Sequence, residues 1–193
     1  MSRVIKIRCK WCNLDNSLYV KYHDEEWCQL NLDDNYLFEM LLLESFQAGL
    51  SWECILNKRE NFRTAYDDFD LDKVCAYGED KLKELSENSG IVRNKLKIKA
   101  SIGNAKIFRD IKNEYGGFYE YLKRFTDGKI IYENDVTRSG LSDTISADLQ
   151  GRGMKFVGTT IIYSYLQAIG VINSHEDGCF LYRNLNCCDT IDG

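Results

Sequence analysis

The sequence contains no proline, only two histidines and no surplus of positive charge: 25 Lys and Arg are outnumbered by 30 Asp and Glu, for a formal net charge of -5. Each shortage excludes something. Without proline, helices must be stopped by Gly, Asn and Ser rather than by ring strain. A net negative chain does not attract nucleic acid through its overall field, because phosphate affinity draws on clustered Lys and Arg, so any contact with DNA has to be local. No stretch approaches the roughly 20 apolar residues of a membrane span. The N-terminal MSRVIKIRCKW has the positive charge of a signal peptide but no apolar block of about seven or more residues behind it. These features read as a cytoplasmic chain with no membrane partner. Cytosolic thiols are kept reduced, so the eight cysteines point to metal binding or burial rather than to disulfides.

What is present is a globular composition, 44% hydrophobic and 12% aromatic over 193 residues, long enough to bury about 70% of the surface of the unfolded chain. The patterning is helical almost throughout, and the expected fold class is all-α. From Asn35, the run Leu37, Phe38, Leu41, Leu42, Phe46 predicts a buried helix stopped at Gly49. Ser51 is placed to cap a second helix carrying Trp52, Ile55, Leu56 and Phe62 on one stripe. Shorter helical turns over 71–88 end at Gly90, Asn94 opens a long helix through Ile98, Ile102, Ala105 and Phe108, and Gly116 and Gly117 close it. Phe118 to Phe125 reads as a further helix, KIIYEN at 129–134 as a segment too short to make a sheet, and Ser142 as the cap of a helix through Ile145 and Leu149. Gly170 ends the last one.

LQGRGMKFVGTTIIYSYLQ, 149–167, sets Gly151, Gly153 and Gly158 in a tight connection between two apolar-faced helices, a helix-hairpin-helix pattern at about 141–169. The free N–H groups from Gly158 through Thr159 to Thr160 would form an anion site supported by the helix dipole, with Arg152 and Lys155 adding charge. Alternatively, the glycines serve the turn alone. The two histidines, His23 and His175, pair with cysteines: Cys179 follows His175 by one helical turn, and Cys9 and Cys12 precede His23. Cys9 or Cys12 with His23, His175 and Cys179 would make a closed tetrahedral zinc site joining the two ends of the chain; otherwise these are ordinary buried residues.

Six blocks, RCKW at 8–11, YVKYHDEEW at 19–27, LFEMLLLESFQAGLSW at 37–52, KRENFR at 58–63, KIKASIGNAK at 97–106 and KFVGTTIIYSYLQAIG at 155–170, together resemble the DNA-3-methyladenine glycosylase I family. That family lies within the helix-hairpin-helix DNA glycosylases. The resemblance covers nearly the whole chain and implies one glycosylase domain over 1–193 that hydrolyses the N-glycosidic bond of 3-methyladenine in DNA. It further implies structural zinc held by Cys9, His23, His175 and Cys179, since the family's cysteine directly follows an Arg and precedes the Trp by two. Its partners would be double-stranded DNA containing alkylated adenine and the free base as product. The expected state is a monomer with no lyase activity.

For the base pocket the family pattern points to Glu44 and Tyr22 as catalytic polar contacts, to Trp52 as a stacking platform, and to Trp11, Tyr19 and Trp27 around it. From the residues alone the aromatic side chains would be assigned to core packing. Glu44 differs, because a carboxylate amid leucines needs a partner. Leu50, at the turn after that helix, is either a wedge for the gap left by a flipped nucleotide or a core leucine; Lys155, Gly158 and Thr159 are the remaining expected DNA contacts. Arg93, Lys95, Lys97 and Lys99 form a basic cluster able to meet phosphate or simply to solvate a face. Three positions depart from the family pattern: Cys28 where Gly is usual, Ser45 after the pocket glutamate, and Ser174 before His175. No Asp stands in 168–174, where many superfamily relatives place one to steady the sugar cation. Two rival readings remain, a non-catalytic helix-hairpin-helix protein with structural zinc that binds DNA or a partner, and a glycosylase of altered substrate range.

Overall fold

The computed structural model describes residues 6–183; Cys187 and Cys188 lie outside them. In chain order the helices are α1 (Ser17–Glu25), α2 (Asp34–Gln47), α3 (Trp52–Leu56), α4 (Arg59–Ala65), α5 (Leu71–Cys75), α6 (Glu79–Glu87), α7 (Lys95–Tyr115) and α8 (Phe118–Thr126). Strand β1 (Ile131–Tyr132) follows, then α9 (Gly140–Gly151), α10 (Thr159–Ala168) and β2 (Ile172–Asn173). No described helix is long and apolar enough to cross a membrane.

Helix α2 is the hub, packing against α3, α7, α8 and α10. All residues from Leu37 to Phe46 are buried, so this helix is surrounded rather than amphipathic. Its apolar neighbours include Phe108, 5.3 Å from Phe38 between ring centroids, and Phe62, 4.9 Å from Phe46. Each such buried side chain contributes about 1.5–3 kcal/mol. Local signals set the ends. Asn94 accepts from the N–H groups of Leu96 and Lys97 at the start of α7, Ser51 accepts from Cys54 at the start of α3, and the chain leaves α2 through Gly49 at φ +81°.

Four local expectations are corrected. The stripe from Trp52 to Phe62 is two helices, α3 and α4, broken at Asn57 and Lys58. The cap of α9 is Ser139, whose N–H donates to Ser142 Oγ (2.9 Å), so Ser142 completes a capping box from inside the helix. The 129–134 segment does form a sheet: β1 pairs in parallel with β2, Ile131 opposite Ile172 and Tyr132 opposite Asn173. Its partner comes from the far side of α9 and α10, which no local pattern reveals. Finally, Lys97 is buried, and its Nζ donates to the carbonyls of Phe46 (2.8 Å) and Ala48 (2.5 Å), holding the C-terminus of α2. It is a helix cap rather than a phosphate ligand.

The end of α10 is locked onto the loop after α1. Gly170 sits at φ +78°, and a Cβ there would fall 2.2 Å from Leu30 N and 2.3 Å from the Gln29 carbonyl carbon, so no other residue fits. Cys28 N–H donates to the Gln167 carbonyl (2.9 Å) and Asn31 N–H to that of Ile169 (3.1 Å). The Cys28 loop therefore has a fixed shape, at the cost of a non-glycine residue at φ +61°. Its thiol accepts the Ser174 N–H at 3.3 Å.

Candidate active site and metal centre

The N-terminal segment, the α2–α3 elbow, the inner face of α10 and the segments flanking the two strands enclose a cavity of about 360 Å³. Trp11, Tyr19, Tyr22, Trp27, Glu44 and Trp52 all line it. Six residues assigned from separate blocks thus share one space. Glu44 is only 3% exposed, on a helix whose other buried positions are mostly apolar, and its Oε2 has no hydrogen-bond partner; nor does Trp52 Nε1. Burial raises the Glu44 carboxyl to about 8, because desolvation disfavours its charged form. Tyr22 and Trp52 lie 5.2 Å apart between ring centroids at 47°, offering two ring faces rather than a closed stack. Burial also holds the Tyr22 phenol well above its ordinary range, with Glu44 adding to the rise, so it remains a hydrogen-bond donor at neutral pH.

Sequence reasoning missed Gln47, Ser164, Gln167, Ser174 and Glu176, which also line the cavity, and the Asn134–Thr137 loop. Ser164 and Gln167 interrupt an otherwise apolar α10, a signal that was readable. The 134–137 loop had none, because the β1–β2 pairing brings it to the cavity.

Behind the aromatic wall, Cys9, His23, His175 and Cys179 are all buried, with one donor atom from each lying within 4.8 Å of the others. His175 Nδ1 stands 3.5 Å from Cys9 Sγ and 3.6 Å from Cys179 Sγ, and His23 Nε2 is 3.6 Å from Cys179 Sγ. A tetrahedral ion with metal–sulfur bonds of about 2.3 Å and metal–nitrogen bonds of about 2.0–2.1 Å requires an S···N edge of about 3.6 Å. Burial pushes the Cys9 thiol up to about 12 and His175 down to about 4. The His175 imidazole is therefore neutral, the form that ligates, while the Cys9 thiol needs a dication to ionise. The residues present fit a closed four-ligand metal. Cys12 is left out, its Sγ facing the Tyr19 carbonyl at 3.9 Å.

An outer layer supports the set. His23 Nδ1 meets Asp24 Oδ1 at 2.9 Å, and Arg8 grips Asp24 from Nε (2.7 Å) and Nη2 (2.6 Å), which directs His23 Nε2 toward the metal position. The same imidazoles touch the pocket wall: Trp11 lies 5.3 Å from His23 at a tilt of 54°, and Trp27 meets His175 edge to face at 4.8 Å.

The expected DNA-facing residues are distributed unevenly. Leu50 is 42% exposed at the α2–α3 turn, which excludes core packing. Lys155 is exposed, and its backbone is pinned to α7 by both ends of the Asn104 amide (2.9 and 2.8 Å). Gly158 starts α10 with no side-chain cap, which leaves its first N–H groups to other acceptors. The Thr159 hydroxyl is occupied, donating to Asp143 Oδ1 at 2.5 Å beside Ser142 Oγ at 2.9 Å. Arg152 is spent on Glu114 (2.7 Å), Asp148 (2.8 Å) and the Tyr115 hydroxyl (3.0 Å), so the hairpin's available cation is Lys155 rather than the pair expected.

The methyladenine glycosylase family model matches residues 11–182. This chain belongs to that family. Methyladenine glycosylases of known sequence include DNA-3-methyladenine glycosylase 1 of Escherichia coli strain K12, 41% identical over 181 residues, 91% of this chain and 96% of the relative. DNA-3-methyladenine glycosylase of Haemophilus influenzae is 34% identical over 179 residues, 89% of this chain and 96% of that one. Among solved structures, a 3-methyladenine DNA glycosylase I superposes with a TM-score of 0.86 at 38% identity, covering 92% of this chain and all of the other. A variant of such an enzyme in complex with 3-methyladenine gives 0.87 at 30% identity, covering 93% and 99%. At the three positions that depart from the family pattern, Cys28 is not among the cavity's lining residues, Ser45 turns back to the Leu41 carbonyl (2.8 Å), and Ser174 lines the cavity.

Proposed function

We propose that this chain is a DNA repair glycosylase that flips alkylated adenine out of duplex DNA into the Glu44 pocket and hydrolyses its N-glycosidic bond, releasing 3-methyladenine. The observation that carries the reading is Glu44 itself, a buried carboxyl with an unpaired oxygen facing a cavity walled by indole and phenol rings. Methylation at N3 makes the nucleobase cationic. Such a base is drawn to an aromatic face by about 0.5–2 kcal/mol and to a carboxylate in a water-poor site more strongly. Ionising Glu44 at neutral pH, against a value of about 8, costs about 1.4 kcal/mol, which the charged base offsets. Trp52 stacks the base, Glu44 accepts from its exocyclic amine, and the Tyr22 hydroxyl donates beside it. Tyr19, Trp11 and Trp27 complete the enclosure.

The cationic leaving group weakens its own glycosidic bond, so little general-acid help is required. No described lysine lines the cavity, which supports simple hydrolysis over amine-mediated strand cleavage. Leu50 fills the place of the extruded base, while Lys155 and the N–H groups at Gly158 and Thr159 hold a backbone phosphate in the helix-hairpin-helix manner. Cys9, His23, His175 and Cys179 would hold zinc, whose contribution is to clamp the chain ends and the Trp11–Trp27 wall. A cytoplasmic monomer is the simplest state for this role.

The test is chromatography of bases released from methylated duplex DNA. An ionised Glu44 accepts from an amine and repels a carbonyl oxygen, so 3-methyladenine is released and 7-methylguanine, with its O6 acceptor, is not. Release of neither base, or equal release of both, contradicts the reading. Glu44→Gln lowers 3-methyladenine release at limiting DNA by about ten- to a hundredfold, through weaker binding of the cationic base.

A further inference from the structure

Three carboxylates line the pocket, of which Glu176 is half-buried and accepts the Lys10 N–H at 3.0 Å, leaving Glu44 and Asp135 at its two extremes of depth. Glu44 and Tyr22 form its buried floor, whereas Asp135, Val136 and Thr137 are exposed at its mouth. Asp135 is carried there by the β1–β2 pairing, where Glu133 N–H donates to the Asn173 carbonyl at 3.2 Å and fixes the loop against the β2 side of the cavity. Its backbone lies at φ +61°, a region that Asn, Asp and Gly tolerate and other residues resist. The turn alone would be served as well by Asn or Gly. No hydrogen bond or ion pair among the described residues engages the Asp135 carboxylate. A free negative charge at a mouth that must face DNA phosphates opposes binding, so its presence there calls for another role.

Resting on the glycosylase reading above, we infer that Asp135 is a second catalytic carboxylate, acting on the sugar rather than on the base. A base seated on the floor leaves its deoxyribose at the mouth. As the N9–C1′ bond breaks, its electron pair goes to the purine, which becomes neutral, and C1′ and O4′ share the positive charge left behind. Water oxygen then bonds to C1′ and releases its proton to solvent, giving the abasic sugar and free 3-methyladenine. The charge therefore migrates from the depth of Glu44 to the depth of Asp135. Glu44 favours the bound reactant; Asp135 favours the transition state, and only the latter raises the rate of bond cleavage.

Asp135→Asn keeps the left-handed turn and removes the charge, so it isolates this role. Single-turnover release of 3-methyladenine from methylated DNA falls by at least about tenfold in this variant. Affinity for undamaged duplex is unchanged or higher, and affinity for free 3-methyladenine is unchanged. Asp177→Asn, removing an acid of the adjoining cavity that Asp135 also lines, leaves release at the wild-type rate. Wild-type release by Asp135→Asn overturns the inference, as does a drop matched by lost affinity for undamaged DNA or reproduced by Asp177→Asn. If the wild-type protein releases no 3-methyladenine, the glycosylase reading itself fails, a separate result.

Discussion

Helix α2 carries two buried glutamates five positions apart with opposite surroundings. Glu39, 5% exposed, accepts from Arg59 Nε (2.8 Å) and from Arg63 Nε (2.9 Å) and Nη2 (3.2 Å), while Arg59 also reaches Glu26 (2.6 Å). Glu44 is buried as deeply, and one of its oxygens has no partner. The first is a neutralised charge that ties α2 to α4; the second is left uncompensated where a cavity opens. A protein tolerates an unpaired buried carboxyl only where something else is to pair with it. Burial alone does not separate the two glutamates, but their partners do.

The same substitution at both positions should act in opposite directions. Burial raises Glu44 from 4.5 to about 8, so between those values the folded protein holds a proton that the unfolded chain has released. Stability therefore falls as pH rises through that window and levels off above about 8. Glu44→Gln removes this penalty and should stabilise the protein at about pH 9 by about 4 kcal/mol in urea denaturation, with little gain near pH 4. Glu39→Gln should instead cost about 3 kcal/mol, because Arg59 loses one of its two carboxylates inside the fold. Equal effects at the two positions would erase the distinction.

A comparable contrast separates the candidate metal centre, Cys9, His23, His175 and Cys179, from the pocket it backs. Asp24 does not touch the ligand position, yet it orients His23 through a 2.9 Å contact. Asp24→Asn should lower zinc affinity by about 10–100-fold in chelator competition, while the protein saturated with zinc keeps its affinity for 3-methyladenine. Loss of base affinity even at saturating zinc would place Asp24 in the pocket itself. The smallest effect concerns two lysines, Lys155 in the α9–α10 connection and Lys97 on α7. Lys155→Ala should reduce the slope of log affinity against log salt by about 1, and Lys97→Met should leave that slope unchanged while lowering stability, since its ammonium is committed to Phe46 and Ala48.

These cases mark where the sequence was legible. Asn94, Ser51 and Gly49 announced helix ends because capping is decided within a few residues. Cys9, His23, His175 and Cys179 are widely separated in the chain, and only the family resemblance singled out Cys9 over Cys12 before the fold brought the four donors together. Lys97 and Arg152 were read as candidate phosphate contacts because a charge in sequence carries no sign of its partner; one caps a distant helix and the other sits among Glu114, Asp148 and Tyr115. The β1–β2 pairing, and with it the loop that brings Asp135 to the pocket, depends on two short segments meeting across the chain. Nothing local encodes that meeting.

The central claim is that Glu44 is held uncharged in the empty pocket and becomes charged against a cationic base. Carbon NMR of the Glu44 side-chain carboxyl, assigned by comparison with Glu44→Gln and followed from about pH 5 to 9, tests it directly. The expected midpoint is near 8 in the free protein, with an ionised carboxyl at neutral pH once DNA containing 3-methyladenine is bound. A midpoint in the ordinary carboxylate range without ligand, or no change on binding, would contradict it.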